Sequence, residues 1–203
     1  MTSTSTSANT STTGRGQLLI ISGPSGSGKT SIIERLRDHP QVRVSVNVTT
    51  RDARGGEVDG RDYTFVTREE FVAMKEQGLF VETNDVFTNG NLYGSLRSEL
   101  DAALAEPGVC YIMEVDVVGA HNIRDAGYKG RHVFIAPPSP EVLETRLRQR
   151  GTDDEQAIAK RLGRAAEERT LAEEDRAEIV VNDQLDKAVE DILGKVGLTA
   201  KPS

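Results

Sequence analysis

The chain has no tryptophan, one cysteine and only 4% aromatic residues in 203 positions. So few aromatics predict a core built mostly from aliphatic side chains. A single thiol, Cys110, excludes an internal disulfide and fits a reducing compartment, so the expected location is the cytoplasm. Its neighbours are apolar, which predicts a small buried core residue. No apolar run approaches the roughly 20 residues that a membrane helix requires, and no membrane association is expected. Positive charge is not in excess either: 25 Lys and Arg against 32 Asp and Glu give a net charge of -7. That balance argues against a nucleic-acid partner held by a broad basic surface. Arginines nevertheless gather in two segments, 51–61 and 146–164, and this local pattern outweighs the total. The N-terminal run MTSTSTSANTSTT offers a core nothing to bury, so a disordered tail is expected over 1–15. It has neither the basic start nor the apolar middle of a secretory signal.

What is present is an alternation of short apolar runs and longer amphipathic ones. Leu18 to Ile21 ends at a glycine-rich turn and reads as a strand buried on both faces. Residues 29–38 read as a helix with Ile32, Ile33 and Leu36 on one side. Further strands are expected at 109–115, 132–136 and 178–181. Helices are expected from Pro140 to about Arg150, over 154–176 and over 186–196. Strands alternating with helices predict an α/β fold with a central parallel sheet and helices on both faces. The stretch 42–98 differs: it carries Gly55, Gly56, Gly60, Gly78, Gly90 and Gly94 and reads as a small mixed insertion of short strands.

The strongest signal is Gly23-Pro24-Ser25-Gly26-Ser27-Gly28-Lys29-Thr30, which fits the phosphate-loop pattern G-x-x-x-x-G-K-[ST] at every fixed position. With glycine at about 7% of residues, the pattern arises by chance in roughly one chain of this length in a hundred. Here it also joins an expected strand to an expected helix, as the motif requires. Glycines let the backbone curl its N–H groups toward a phosphate, and the helix N-terminus adds positive potential at the same point. Lys29 then reaches the β- and γ-phosphates of ATP, and the Thr30 hydroxyl is a candidate Mg²⁺ ligand.

A second segment, Thr49-Thr50-Arg51-Asp52-Ala53-Arg54-Gly55-Gly56-Glu57-Val58-Asp59-Gly60-Arg61-Asp62-Tyr63, resembles the T-T-R-x-x-R-x-G-E-x-x-G-x-D-Y segment of guanylate kinases. Matches follow in the same order at Phe80-Val81-Glu82, Gly90 to Ser95, Pro137-Pro138-Ser139, Arg146-Leu147, Arg150-Gly151-Thr152, Lys160-Arg161-Leu162 and Val181-Asn182-Asp183. The resemblance spans about Leu18 to Leu193. It implies a P-loop NTPase core (16–46 and 97–198), a small mixed α/β GMP-binding insertion at 47–96 and a mobile lid near 151–164. It also implies transfer of the γ-phosphate of ATP to GMP, with Mg²⁺ as cofactor and the two nucleotides as small-molecule partners.

The resemblance assigns roles residue by residue. Lys29, Arg51, Arg146, Arg150 and Arg161 are the catalytic candidates. Asn182 joins residues 23–30 at ATP. Asn47, Arg51, Arg54, Tyr63, Glu82, Tyr93, Ser95 and Asp116 surround GMP, and Thr30 with Glu114 lies at the metal. The chemistry fits. Planar arginine forks match a dianionic phosphate, and tyrosine hydroxyls can donate to it. Guanine offers N1–H and N2–H₂ on one edge, which a carboxylate such as Glu82 accepts together. On spacing alone, arginines three apart fit a solvated surface face equally well. Three departures stand out. Asn47 and Glu114 replace the family's usual Ser and Asp, and the stretch from Glu82 to Gly90 is about two residues longer than usual. A peptide-binding module built on the same scaffold is the rival reading, as is a kinase for another nucleoside monophosphate. The intact phosphate loop counts against the first, and Asn47 keeps the second open.

Overall fold

In the computed structural model, residues 15–86, 90–151 and 153–199 are described. Nearly all of the expected tail, Thr152 of the lid match and residues 87–89 of the lengthened stretch lie outside them. In chain order the elements are β1 (Gln17–Ser22), α1 (Lys29–Arg37), β2 (Val42–Val44), β3 (Val48–Thr49), β4 (Thr64–Phe65), α2 (Arg68–Glu76), β5 (Phe80–Val86) and β6 (Asn91–Leu96). They continue with α3 (Arg97–Ala105), β7 (Cys110–Glu114), α4 (Val117–Asp125), β8 (Arg131–Ala136), α5 (Pro140–Gln149), α6 (Glu155–Glu174), β9 (Glu178–Val181) and α7 (Leu185–Lys195).

The larger sheet runs β2-β7-β1-β8-β9 and every pairing in it is parallel. Its central strand explains its own composition. Leu19 and Ile21 pack toward α1 and α7, while Leu18 and Ile20 pack toward α3 and α4. None of the four is more than 3% exposed, so a strand covered on both faces needs an unbroken apolar run. Truncating any one to alanine should cost about 2–5 kcal/mol. Cys110 lies in the same core, and burial pushes its thiol up to about 11. Because β7 and β8 flank β1, the chain leaves β1 at the switch point of the sheet, where α/β proteins bind ligands.

The smaller sheet runs β4-β3-β6-β5, with β6 antiparallel to both β3 and β5. It has its own cluster of Val48, Phe71 and Phe80, in which the two phenyl rings stack with centroids 4.6 Å apart. Register shifts between Phe80 and Glu82. Such a bulge re-aims side chains. Here Phe80 joins the small cluster, Val81 joins the main core beside Leu18 and Ile20, and Glu82 lines a cavity.

The structure corrects one reading of the sequence. Val42–Val44 belongs to the large sheet as an edge strand on β7, so the mixed insertion begins after it. The segment holds the helix α2 as well as strands, as a mixed α/β insertion requires. α2 shows no apolar stripe, since it buries only Phe71, and it starts on a capping box between Thr67 and Glu70. Helices α3 and α4 were not anticipated. The first turn of α4 is fixed by Asp116, whose Oδ1 accepts from the Gly119 N–H at 2.8 Å.

Candidate active site

The phosphate loop hangs from the end of β1, where the buried Ser22 hydroxyl lies 2.7 Å from His132 Nε2 on β8. Two of its glycines are sterically obligatory. A Cβ on Gly23 would lie 2.4 Å from the Ile135 carbonyl oxygen, and one on Gly28 would lie 2.2 Å from Asn182 Nδ2. Both also have positive φ, 146° and 93°. Asn182 Nδ2 donates to the Ser27 carbonyl at 2.8 Å. Arg146, from α5, donates to the Asn182 carbonyl at 3.0 Å and to that of Ser27 at 3.4 Å. Both side chains therefore brace the back of the loop. Lys29 Nζ folds over its front, donating to the Gly23 and Pro24 carbonyls at 2.7 and 3.1 Å. Burial lowers the Lys29 pKa, opposed by the charges of Glu114 and Glu168 and aided by Arg150.

In front of Lys29 opens a cavity of about 220 Å³, lined also by Asn47, Tyr63, Glu82, Asn84, Tyr93, Glu114 and Asp116. Its far end is a buried carboxylate. Glu82 is 7% exposed, and its Oε1 lies 2.6 Å from the Ser95 hydroxyl. Burial pushes the Glu82 carboxyl up to about 7, against the pull of the Ser95 bond and with help from the Asp116 charge. Ser95 Oγ is also 3.1 Å from Asn47 Oδ1, and Asn47 Nδ2 donates to the Glu114 carbonyl at 3.0 Å. An adjoining recess of about 400 Å³ shares Asn47, Tyr63 and Glu114 and adds Thr30, Arg51, Arg54 and Arg150. Two recesses with a shared wall of Asn47, Tyr63 and Glu114 thus present the phosphate-loop lysine, a buried acid and a set of arginines. Such an arrangement can hold two phosphorylated groups end to end and discriminate a base by its hydrogen-bond donors.

The sequence profile of the guanylate kinase family matches residues 15–196. The chain belongs to the guanylate kinase family. It is 45% identical over 180 residues to a guanylate kinase of Nitratidesulfovibrio vulgaris, covering 87% of this chain and 84% of that one. Against a guanylate kinase of Synechocystis it is 41% identical over 184 residues, covering 90% and 94%. The crystal structure of guanylate kinase from Anaplasma phagocytophilum superposes with a TM-score of 0.69 at 31% identity, over 91% of this chain and 86% of that chain. A tunicamycin resistance protein of Deinococcus radiodurans, 18% identical with a TM-score of 0.55 over 93% of this chain and 100% of that chain, shares the fold alone.

Within this guanylate kinase the arginines divide by what they touch. Arg51 forms a bidentate pair with Glu57, Nη1 to Oε2 at 2.8 Å and Nη2 to Oε1 at 2.9 Å, and its guanidinium sits 5.1 Å from the centre of the Tyr63 ring. Those bonds hold its pKa above the ordinary arginine value. The Arg54 backbone N–H donates to the same Glu57 at 2.7 Å. Arg150 lies at the C-terminus of α5, exposed beside Thr30 and Glu114. Arg161 is turned instead to Asp153, 3.1 Å away, and lines neither recess. Arg148 is an outer residue bonded to Glu144 and Glu155. Arg164 reaches inward to Glu168 at 2.8 Å and toward Asp116 at 3.7 Å.

Sequence reasoning missed Glu57, Glu168, Arg164 and Asn84 as site residues. Glu57 was in plain view inside the Arg51–Tyr63 match. Asn84 had one signal: it lies two residues from Glu82 on the same strand and so faces the same way. Glu168 and Arg164 carried no signal beyond helical spacing.

Proposed function

We propose that the chain transfers the γ-phosphate of ATP to GMP, giving ADP and GDP, in the cytoplasm. The observation that supports this most is that one cavity is lined by both Lys29 and the buried Glu82, whose carboxylate is bonded by Ser95. The phosphate loop takes the ATP phosphates, with Asn182 and Arg146 keeping its backbone in shape. Arg51 and Arg54, with the Tyr63 and Tyr93 hydroxyls, take the GMP phosphate, and Arg51 is already held in place for it. Glu82 accepts from guanine N1–H and N2–H₂, while Ser95 and Asn47 fix its rotamer. Adenine lacks that donor pair, so AMP would leave a buried acid unpaired, and a site of this kind can reject such an analogue by about 10⁴. Thr30 and Glu114 offer hard oxygen atoms on one recess, a donor set that suits Mg²⁺ carried in on ATP phosphates. Mg²⁺ would neutralise phosphate charge. Alignment of the two nucleotides then falls to Lys29, Arg51 and Arg150, with Arg161 reaching the site only if it leaves Asp153. The lid near 151–164 and the insertion at 47–96 are the parts that would close over the substrates.

A coupled assay offering ATP with GMP, AMP, CMP and UMP in turn tests this reading. Turnover is expected with GMP alone, and Lys29→Ala should remove it while leaving GMP binding intact. Comparable rates with another monophosphate would overturn the acceptor assignment.

A further inference from the structure

Strands β5 and β6 place four side chains on one face of a hairpin. Glu82 pairs across to Ser95 and Asn84 to Tyr93, with unbroken register between them. Cross-strand neighbours on one face contact the same space. Glu82, Asn84 and Tyr93 do line one cavity, and Ser95 bonds to Glu82. Asn84 is the corner with no role so far. Its amide Nδ2 donates to Asp116 Oδ2, which joins the smaller sheet to the start of α4.

Asp116 is the most contested carboxylate in the cavity. Oδ1 caps α4 at the Gly119 N–H, and Oδ2 has Arg164 at 3.7 Å in addition to Asn84. Glu82 is close by: a Cβ on Gly119 would lie 3.1 Å from Glu82 Oε2 and 3.3 Å from Asp116 Oδ1. Two acids sharing a small space repel, and the Asp116 charge indeed raises the Glu82 pKa. A neutral donor on Asp116 that itself carries no charge stabilises this arrangement, whereas withdrawal of Asp116 toward Arg164 would take the second acceptor away from the pocket.

We propose that Asn84 is a positioning residue of the acceptor site, holding the Asp116 carboxylate inside the pocket as a second acceptor beside Glu82. This rests on the reading of the pocket as the guanine site. Asn84 does no chemistry, and its effect on the acceptor passes through Asp116.

The test uses the full chain, with steady-state kinetics, GMP titration calorimetry and melting for Asn84→Ala, Asp116→Ala and the double variant. Asn84→Ala should raise the KM and Kd for GMP about tenfold, the size expected for losing a hydrogen bond to a charged group. The kcat and the KM for ATP should stay within twofold of the parent. Added to Asp116→Ala, the substitution should change nothing further, because the group it holds is gone. Asn84→Asp sets a like charge against Asp116 and should raise the GMP KM more than Asn84→Ala does. The proposal is overturned if GMP affinity is unchanged in Asn84→Ala, if ATP and GMP constants shift together with melting, or if the two substitutions add. A parent chain that fails to phosphorylate GMP would instead remove the pocket assignment itself, and the proposal with it.

Discussion

Glu57 grips Arg51 through two parallel bonds of 2.8 and 2.9 Å, while the Tyr63 ring lies against the same guanidinium. For the GMP phosphate proposed to bind at Arg51, the pair should have two opposite effects. Glu57 occupies the arginine fork, and it also removes the rotamer freedom that a long side chain would lose on binding. Ordering one such side chain costs about 0.5–1.5 kcal/mol. Glu57 also holds the Arg54 backbone, so the ordering effect acts on both arginines and should dominate. Glu57→Ala is expected to raise the KM for GMP roughly 3- to 10-fold, with the KM for ATP unchanged. A lower GMP KM would mean that competition for the fork prevails.

With Glu82 as the proposed reader of guanine, the reaction with GMP should be sensitive to pH near neutrality. Burial pushes its carboxyl up to about 7 in the folded chain, and only the carboxylate accepts both guanine donors. The kcat/KM for GMP should therefore fall as pH drops through 7, while the KM for ATP follows a different profile. The phosphate of GMP titrates near 6, so Glu82→Gln is the control: it should lose most GMP turnover and the component near 7 together.

The same group sets a stability cost with a definite sign. The free carboxyl titrates at 4.5 and the folded one at about 7, so the folded chain holds the extra proton between them. Stability from this group falls as pH rises through that window and is lowest above 7, by on the order of 3 kcal/mol. Glu82→Gln should therefore raise the Tm of the unliganded chain at pH 8 by roughly 6–12 °C, with little change at pH 4.5. An unchanged Tm at pH 8 would show that the cost is relieved elsewhere.

Two arginines one helical turn apart should separate cleanly in kinetics. Arg150→Ala should lower kcat by on the order of 10³ and leave Tm and GMP binding near the parent values. Arg146→Ala removes the donor to the Ser27 and Asn182 carbonyls, so it should lower Tm and raise the KM for ATP. Identical profiles for the two variants would dissolve the distinction between charge stabilisation and loop bracing.

The parts of the fold that were legible in the sequence are those with one dominant cause. β1 announces itself through four apolar residues stopped by glycine, and β8 through a run stopped by Pro137. α6 and α7 carry long helical patterns. Residues whose structure depends on distant partners were not legible. Val42–Val44 is a strand because β7 lies beside it, and α4 begins where Asp116 finds the Gly119 N–H. The site follows the same division. Its lysine and arginines stand in linear motifs, whereas Asn84 matters only because the fold brings Asp116 to it.

The bulge at Phe80–Glu82 sends three consecutive side chains into three compartments: the small cluster, the main core and the cavity. Val81 is thereby a rivet through the smaller sheet, and Glu82 sits next to the rivet. Arg51 and Arg54 follow β3 in the chain, and Arg51 lies against the Tyr63 and Phe65 rings. The rivet fixes the carboxylate relative to the phosphate loop, because β1 carries Leu18 and Ile20, against which Val81 packs, and ends where the loop begins.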